Sequence, residues 1–171
     1  MFFIGVVTNQ KNEIYIKNKL SDLLPEENII FITEKNISNI KNIKFETIVI
    51  DAKINNKTDF RKILSNAKYV ILNSDIEMDV ELFTNLSLTV LTYGFNNKAT
   101  FTVSSVTENT IIICLQRIIL NKKGGMIEPQ EYQMENSKNT EKYAIIASSI
   151  VNIIYIKTRR KKRKLKKFYK K

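Results

Sequence analysis

Asp51, Asn73, Asp75 and Tyr93 are the residues of this chain whose types and places could do chemistry. Each stands where a β-branched run stops: Asp51 after Thr47 to Ile50, Asn73-Ser74-Asp75 after Tyr69 to Leu72, and Tyr93 at the end of Ser87 to Tyr93. Ligands of open α/β sheets lie outside the carboxyl ends of the strands, which makes these positions candidates for a site. Asp51 and Asp75 could approach each other as a metal-binding or acid/base pair requires. Turn and capping roles are the structural alternative, and the preferred one. For Asn73 and Asp75 the structural alternative is an Asx-type turn that caps a following helix.

Other chemistries are closed to these residues. The sequence has no histidine, which excludes His-based general base catalysis, Ser-His and Cys-His nucleophiles and imidazole metal sites. Its single cysteine, Cys114, cannot form an intramolecular disulfide and lies in the apolar run Ile111 to Leu115, the setting of a buried structural thiol. Arg117, beside Gln116, interrupts an apolar strand; it could meet an anion or form a salt bridge at a sheet edge. Glu128 and Glu131, three apart on a predicted strand, point to opposite faces and make no carboxylate pair. No residue is assigned as catalytic and none as a metal ligand.

The elements that must position these residues follow from periodicity. Phe2 to Val7, Ile29 to Ile32, Thr47 to Ile50, Tyr69 to Leu72 and Ser87 to Tyr93 read as five strands. Helical spacing appears in Asn12 to Leu24, stopped by Pro25, in Ile37 to Ile43 (a short helix or turn), in Asp59 to Ala67, and in Asp79 to Leu86. Strands alternating with helices over residues 1–95 predict βαβ units and a Rossmann-like, mainly parallel sheet of about five strands. The pattern then changes. Ala99 to Ser104 alternates strictly, Thr110 to Ile119 reads as a long strand and Met126 to Met134 as a more polar one, with Pro129 marking an edge. Residues 96–135 therefore predict a three-stranded antiparallel meander. Residues 140–156 predict a C-terminal helix, its apolar stripe formed by Tyr143, Ile146, Ile150, Ile153 and Ile154, with Ser148 and Asn152 turned away. Its uncharged stretch is too short to span a bilayer.

Charge is segregated. Of 28 Lys and Arg, eleven lie in residues 157–171, which hold no acidic residue, so 17 basic face 17 acidic side chains in residues 1–156. The eleven are Lys157, Arg159, Arg160, Lys161, Lys162, Arg163, Lys164, Lys166, Lys167, Lys170 and Lys171. A block this dense is expected to be disordered or weakly helical alone and to bind polyanions. Its target is either nucleic acid, where Phe168 and Tyr169 could stack on bases, or an anionic membrane surface, which the preceding apolar helix, Leu165 and Phe168 favour. A merely solvated tail is the third reading. Residues 1–156 read as one α/β domain, and 157–171 as the tail.

Asn73-Ser74-Asp75, a short helix, Thr92-Tyr93-Gly94-Phe95 and then a meander occur in an order that resembles the end of the central domain of the ATP-dependent Mur ligases of peptidoglycan synthesis. The start resembles that family more faintly: Ile4-Gly5-Val6 is followed by Val7-Thr8-Asn9-Gln10-Lys11-Asn12, where the family has a glycine-bearing phosphate loop. Thr8, Asn9 and Lys11 match. Both loop glycines and the final Thr do not, and without them the amide cradle and the magnesium-holding hydroxyl are lost. The resemblance implies a nucleotide site for ATP or ADP at Thr8, Asn9, Lys11, Asn73, Asp75 and Tyr93, with Asn73 near the adenine. The broken loop implies a degenerate, non-catalytic relative, linked to the bacterial cell wall, that binds a nucleotide or a protein partner. An active ligase is the remote alternative, since no counterpart of the family's C-terminal domain is visible. With no charged segment before the first apolar run, no secretory signal is expected. The expected place is the cytoplasm, with the tail at the inner face of the membrane.

Overall fold

Ile- and Val-rich runs extend readily, because their side chains are already restricted at χ1 and pack well on a pleated surface. In a computed structural model describing residues 2–155 they form β1 (Phe3–Val7), β2 (Ile29–Phe31), β3 (Phe45–Ile50), β4 (Tyr69–Asn73) and β5 (Thr89–Gly94). Met1, Ile156 and the basic segment 157–171 lie outside the described residues. The five strands are parallel, in spatial order β2-β1-β3-β4-β5. Helices α1 (Gln10–Ser21), α2 (Ile37–Ile40) and α3 (Lys57–Ser65) lie on the crossovers between them.

Alternate side chains of each strand feed two cores, one on each face. Ile48, Ile50 and Val70 pack with Ile37 of α2 and with Phe60, Ile63 and Leu64 of α3. Val49, Ile71 and Leu91 pack with Ile16 and Leu20 of α1, and with Ile146 and Ile150 of the last helix, α4 (Lys142–Tyr155). Cover on both faces is why these strands read as continuous apolar runs rather than as alternating ones.

The expected meander is present as β6 (Phe101–Val106), β7 (Thr110–Leu115) and, after a small ribbon of β8 (Ile119–Leu120) and β9 (Met126–Ile127), β10 (Glu131–Glu135). It is continuous with the parallel sheet. β6 runs parallel to β5, with Tyr93 beside Phe101 and Gly94 beside Thr102, so eight strands lie in the order β10-β7-β6-β5-β4-β3-β1-β2. Parallel neighbours usually need a long crossover because the chain must return to its start. Here β6 begins where β5 ends and runs onward, so residues 95–100 suffice.

Several local expectations are corrected. The stretch 110–119 is not one strand: β7 ends at Leu115, Gln116 N–H makes a last bond in the same register to Thr100 O (2.9 Å), and pairing resumes only in the β8–β9 ribbon. The stretch 126–134 splits around Pro129, which has no N–H to give a ladder. Glu128 is therefore off the strand that carries Glu131, and their spacing says nothing about faces. Among the described residues Arg117 makes no salt bridge; its guanidinium donates to Lys98 O at 2.9 Å. The helix expected over 79–86 is a single 3-10 turn, Val80–Phe83, capped by Asp79, which accepts from Glu81 N–H at 3.0 Å. It ends early because Arg61 of α3 binds the carbonyls of Glu81, Leu82 and Thr84, which a longer helix would have used. Ser148 does not face away: it is buried, its hydroxyl donating to Ala144 O and Ile145 O of its own helix. Asn152 is half-buried. Cys114 is half-buried rather than buried, on the face of β7 where Thr110 and Ile112 are also only half-buried. No helix among the described residues is long and apolar enough to cross a membrane.

Candidate functional site

Register builds the site. Val7 lies beside Ile50, Ile50 beside Leu72, and Asn73 beside Tyr93. The residues at the carboxyl ends of β1, β3, β4 and β5 therefore meet in a row: Thr8, Asp51, Asn73 and Tyr93. Asp51 is the centre of that row. It accepts from Tyr93 Oη at 2.8 Å, from Asn73 Nδ2 at 3.0 Å and from Thr8 Oγ1 at 3.2 Å. Burial drives its pKa up, against the three hydrogen bonds, and the nearby Glu141 carboxylate adds to the rise. Tyr93 is fully buried, and burial followed by the Asp51 charge pushes its hydroxyl pKa well up.

A second carboxylate stands one layer out. Asn73 is almost fully buried and uses both ends of its amide: Nδ2 donates to Asp51, and Oδ1 accepts from Asp75 N–H at 3.0 Å, an Asx-type turn. Asp51 and Asp75 are thus joined through Asn73. The Asp75 carboxylate accepts from Phe95 N–H, from Asn96 Nδ2 (2.8 Å) and from Tyr143 Oη (3.1 Å). Burial pulls its pKa up, but the bonds from Asn96, Phe95 and Tyr143 outweigh burial and hold it below the usual carboxylate value. Gly94 makes this packing possible. A Cβ there would stand 2.6–2.7 Å from the Asp75 carboxylate. Phe95 then meets the Tyr143 ring edge-on, centroids 5.5 Å apart. Burial and the Asp75 carboxylate raise the Tyr143 pKa to about 12.

The place where the resemblance puts a phosphate loop is built differently. Only Thr8 and Asn9 separate β1 from α1, too few to wrap a phosphate. Thr8 is held by Asp51, and Asn9 caps the helix in extended geometry without a side-chain bond to it. Lys11 forms an ion pair with Glu141, and the buried Asn12 donates to the other Glu141 oxygen at 2.7 Å. Bonds from Lys11 and Asn12 lower the Glu141 pKa. A carboxylate from the start of α4 therefore lies against the first turn of α1, the positive end of that helix dipole, where an external anion would otherwise bind.

Above the row lies a recess of about 440 Å³ lined by Asn9, Asp51, Asn73, Ile76, Phe95, Glu141, Lys142 and Tyr143. Two carboxylates against one lysine make its lining net acidic. Among the described residues no group of three or more His, Cys, Asp or Glu side chains is placed to hold a metal ion. Of the residues singled out from the sequence, Thr8, Asn73, Asp75 and Tyr93 converge around Asp51, while Asn9 and Lys11 lie at its α1 edge. The eleven basic residues of the tail lie outside the described residues. Sequence reasoning missed Asn12, Asn96, Glu141 and Tyr143. Tyr143 was assigned to an apolar stripe, and only its hydroxyl, which needs a partner when partly buried, could have marked it.

No family model matches the chain, and none of the curated proteins matches it.

Proposed function

We propose that this chain is a non-catalytic, Mur-ligase-like binding protein of the bacterial cytoplasm. Its α/β body serves as a docking unit linked to cell-wall biology, and its polybasic tail contacts a polyanion, in the first instance the anionic inner face of the membrane. The observation that carries the loss of catalysis is Glu141, held by Lys11 and Asn12 against the start of α1. A nucleotide polyphosphate would meet an ion pair already made and a carboxylate that repels it. The recess over Asp51 and Asn73 suits an uncharged or cationic group of a partner better than it suits ATP or ADP.

The test is calorimetric titration of Mg-ATP and of ADP into the full chain at low and at high salt, with and without Asn73→Ala. The expected result is heat that high salt removes and Asn73→Ala leaves unchanged, the signature of phosphate on the tail. Saturable binding that survives salt and is lost in Asn73→Ala would overturn the reading in favour of a working nucleotide site. Nucleic acid is the second reading for the tail, favoured by Phe168 and Tyr169 among its lysines, whose rings could stack on bases.

A further inference from the structure

The β8–β9 ribbon presents an apolar face to solvent. Leu120 and Met126 are cross-strand partners, 54% and 69% exposed, and Ile118, two residues before Leu120, is 61% exposed. Ile119 and Ile127, the other cross-strand pair, are buried in the core that includes α4. The ribbon therefore alternates inside and outside with aliphatic residues in both places. Alternation normally puts polar side chains outside, so the outer row is an anomaly that packing among the described residues does not explain.

The ribbon is also held at a particular place. In its turn Asn121 Oδ1 accepts from the N–H groups of Lys123 and Gly125, both at 2.9 Å, and Gly124 takes φ +77°. Lys122 N–H donates to Ile154 O in the last turn of α4 (2.9 Å), and Lys122 Nζ lies over the rings of Phe2 and Tyr155. The chain leaves Tyr155 at this point, and Lys157, the first of eleven basic residues, follows two positions later. The turn that joins β8 to β9, two residues on from Leu120, thus packs on the end of α4 from which the tail continues.

We propose that the β8–β9 ribbon is a membrane wedge: Ile118, Leu120 and Met126 enter the acyl region of an anionic bilayer while the basic residues of 157–171 lie on its headgroups. This rests on the reading of the tail as a polyanion contact and names which polyanion. Charge complementarity selects an anionic surface, and the aliphatic row selects a bilayer. Ile, Leu and Met side chains have no planar face to stack on a base, so they add nothing to a nucleic-acid contact, whereas burying them in hydrocarbon removes apolar surface from water. Two weak signals, a shallow insertion and a polybasic segment, together give the stable anchoring that neither gives alone.

The test is co-sedimentation of the full chain with vesicles of phosphatidylcholine alone and of phosphatidylcholine with phosphatidylglycerol, alongside binding to duplex DNA. Two variants are compared with wild type: Leu120→Glu/Met126→Glu, and a tail in which Arg159, Arg160, Lys161 and Lys162 are all changed to Gln. Expected is wild-type binding to the anionic vesicles, reduced roughly tenfold or more by the ribbon variant, whose DNA binding and melting temperature stay at wild-type values. The tail variant weakens both. A ribbon variant that binds anionic vesicles as wild type does would overturn the wedge and leave the tail reading standing. Wild type that binds DNA but prefers neither vesicle would overturn the membrane reading and the wedge together.

Discussion

The strand ends of β1, β3, β4 and β5 and the β8–β9 ribbon treat their surfaces in opposite ways. At the strand ends polar groups crowd together, and their bonds are made within the chain: Asp51 takes three donors, Asp75 takes three, and both ends of the Asn73 amide are used. Among the described residues the buried side-chain polar atom without a partner is Asn28 Oδ1, which belongs to neither region. At the ribbon the outward-facing, exposed side chains Ile118, Leu120 and Met126 are aliphatic. Functional residue types at the right topological place therefore mark a position, and their hydrogen bonds there are made largely within the chain. What a fold leaves unsatisfied on its surface is the better guide to what it binds.

That contrast is broken most directly at Gly94. Gly94→Ala places a methyl group against the Asp75 carboxylate and should cost about 2–3 kcal/mol in urea unfolding, since that carboxylate must shift away from the Phe95, Asn96 and Tyr143 donors that hold it. A cost below about 0.5 kcal/mol would mean the Asp75 cluster yields easily and the site is open. Next comes Asp75→Ala, which leaves Phe95 N–H, Asn96 and Tyr143 without their acceptor and should cost about 1–3 kcal/mol. Because the Asp75 pKa is lowered on folding, its contribution is present above the ordinary carboxylate value and disappears as pH falls through the folded value. The difference between wild type and Asp75→Ala should accordingly shrink in acid.

Asp51 should behave with the opposite sign. Its pKa is raised on folding, so its contribution is complete below the ordinary carboxylate value and is lost as pH rises through the folded value. Asp51→Asn keeps acceptance from Tyr93 and removes the buried charge. It should change stability at neutral pH by no more than about 1 kcal/mol and flatten the pH dependence just above the ordinary carboxylate range. A large loss at neutral pH would show that the charge itself holds the row together. In alkali, the Tyr143 contribution should persist to its ordinary value of 10.0 and be lost as pH rises through about 12, a step that Tyr143→Phe removes. The smallest stability effect is expected at the ribbon, where Leu120→Glu/Met126→Glu should stay within about 0.5 kcal/mol of wild type while improving solubility. A larger loss would mean that the outer row packs against something in the folded chain.

The strands and most helices were legible because β-branched runs and helical spacing are local signals. The motifs Asn73-Ser74-Asp75 and Thr92-Tyr93-Gly94-Phe95 also pointed to the strand ends where Asp51, Asn73 and Tyr93 meet, since each motif lies at the end of a strand. The Phe95 N–H bond and the Gly94 close approach explain why a glycine stands in the second motif, but neither could be read without knowing that Asp75 folds back over it. Glu141 was invisible for a similar reason. It lies 129 positions from Asn12, its hydrogen-bonding partner. The 3-10 turn at Val80–Phe83 was misjudged because Arg61, on another helix, captures its carbonyls.

The sequence by itself determined the alternation of strands and helices, the change of pattern after Tyr93 and the separation of a neutral body from a basic tail. Those depend on composition and on spacings of a few residues, where backbone sterics and side-chain burial act locally. Tertiary structure alone decided that Asp51 and not Asp75 is the centre of the polar row, that an internal carboxylate lies at the start of α1, and that the apolar ribbon adjoins the root of the tail. These are matters of register and packing between distant segments, and a side chain becomes buried, paired or exposed only when its neighbours arrive.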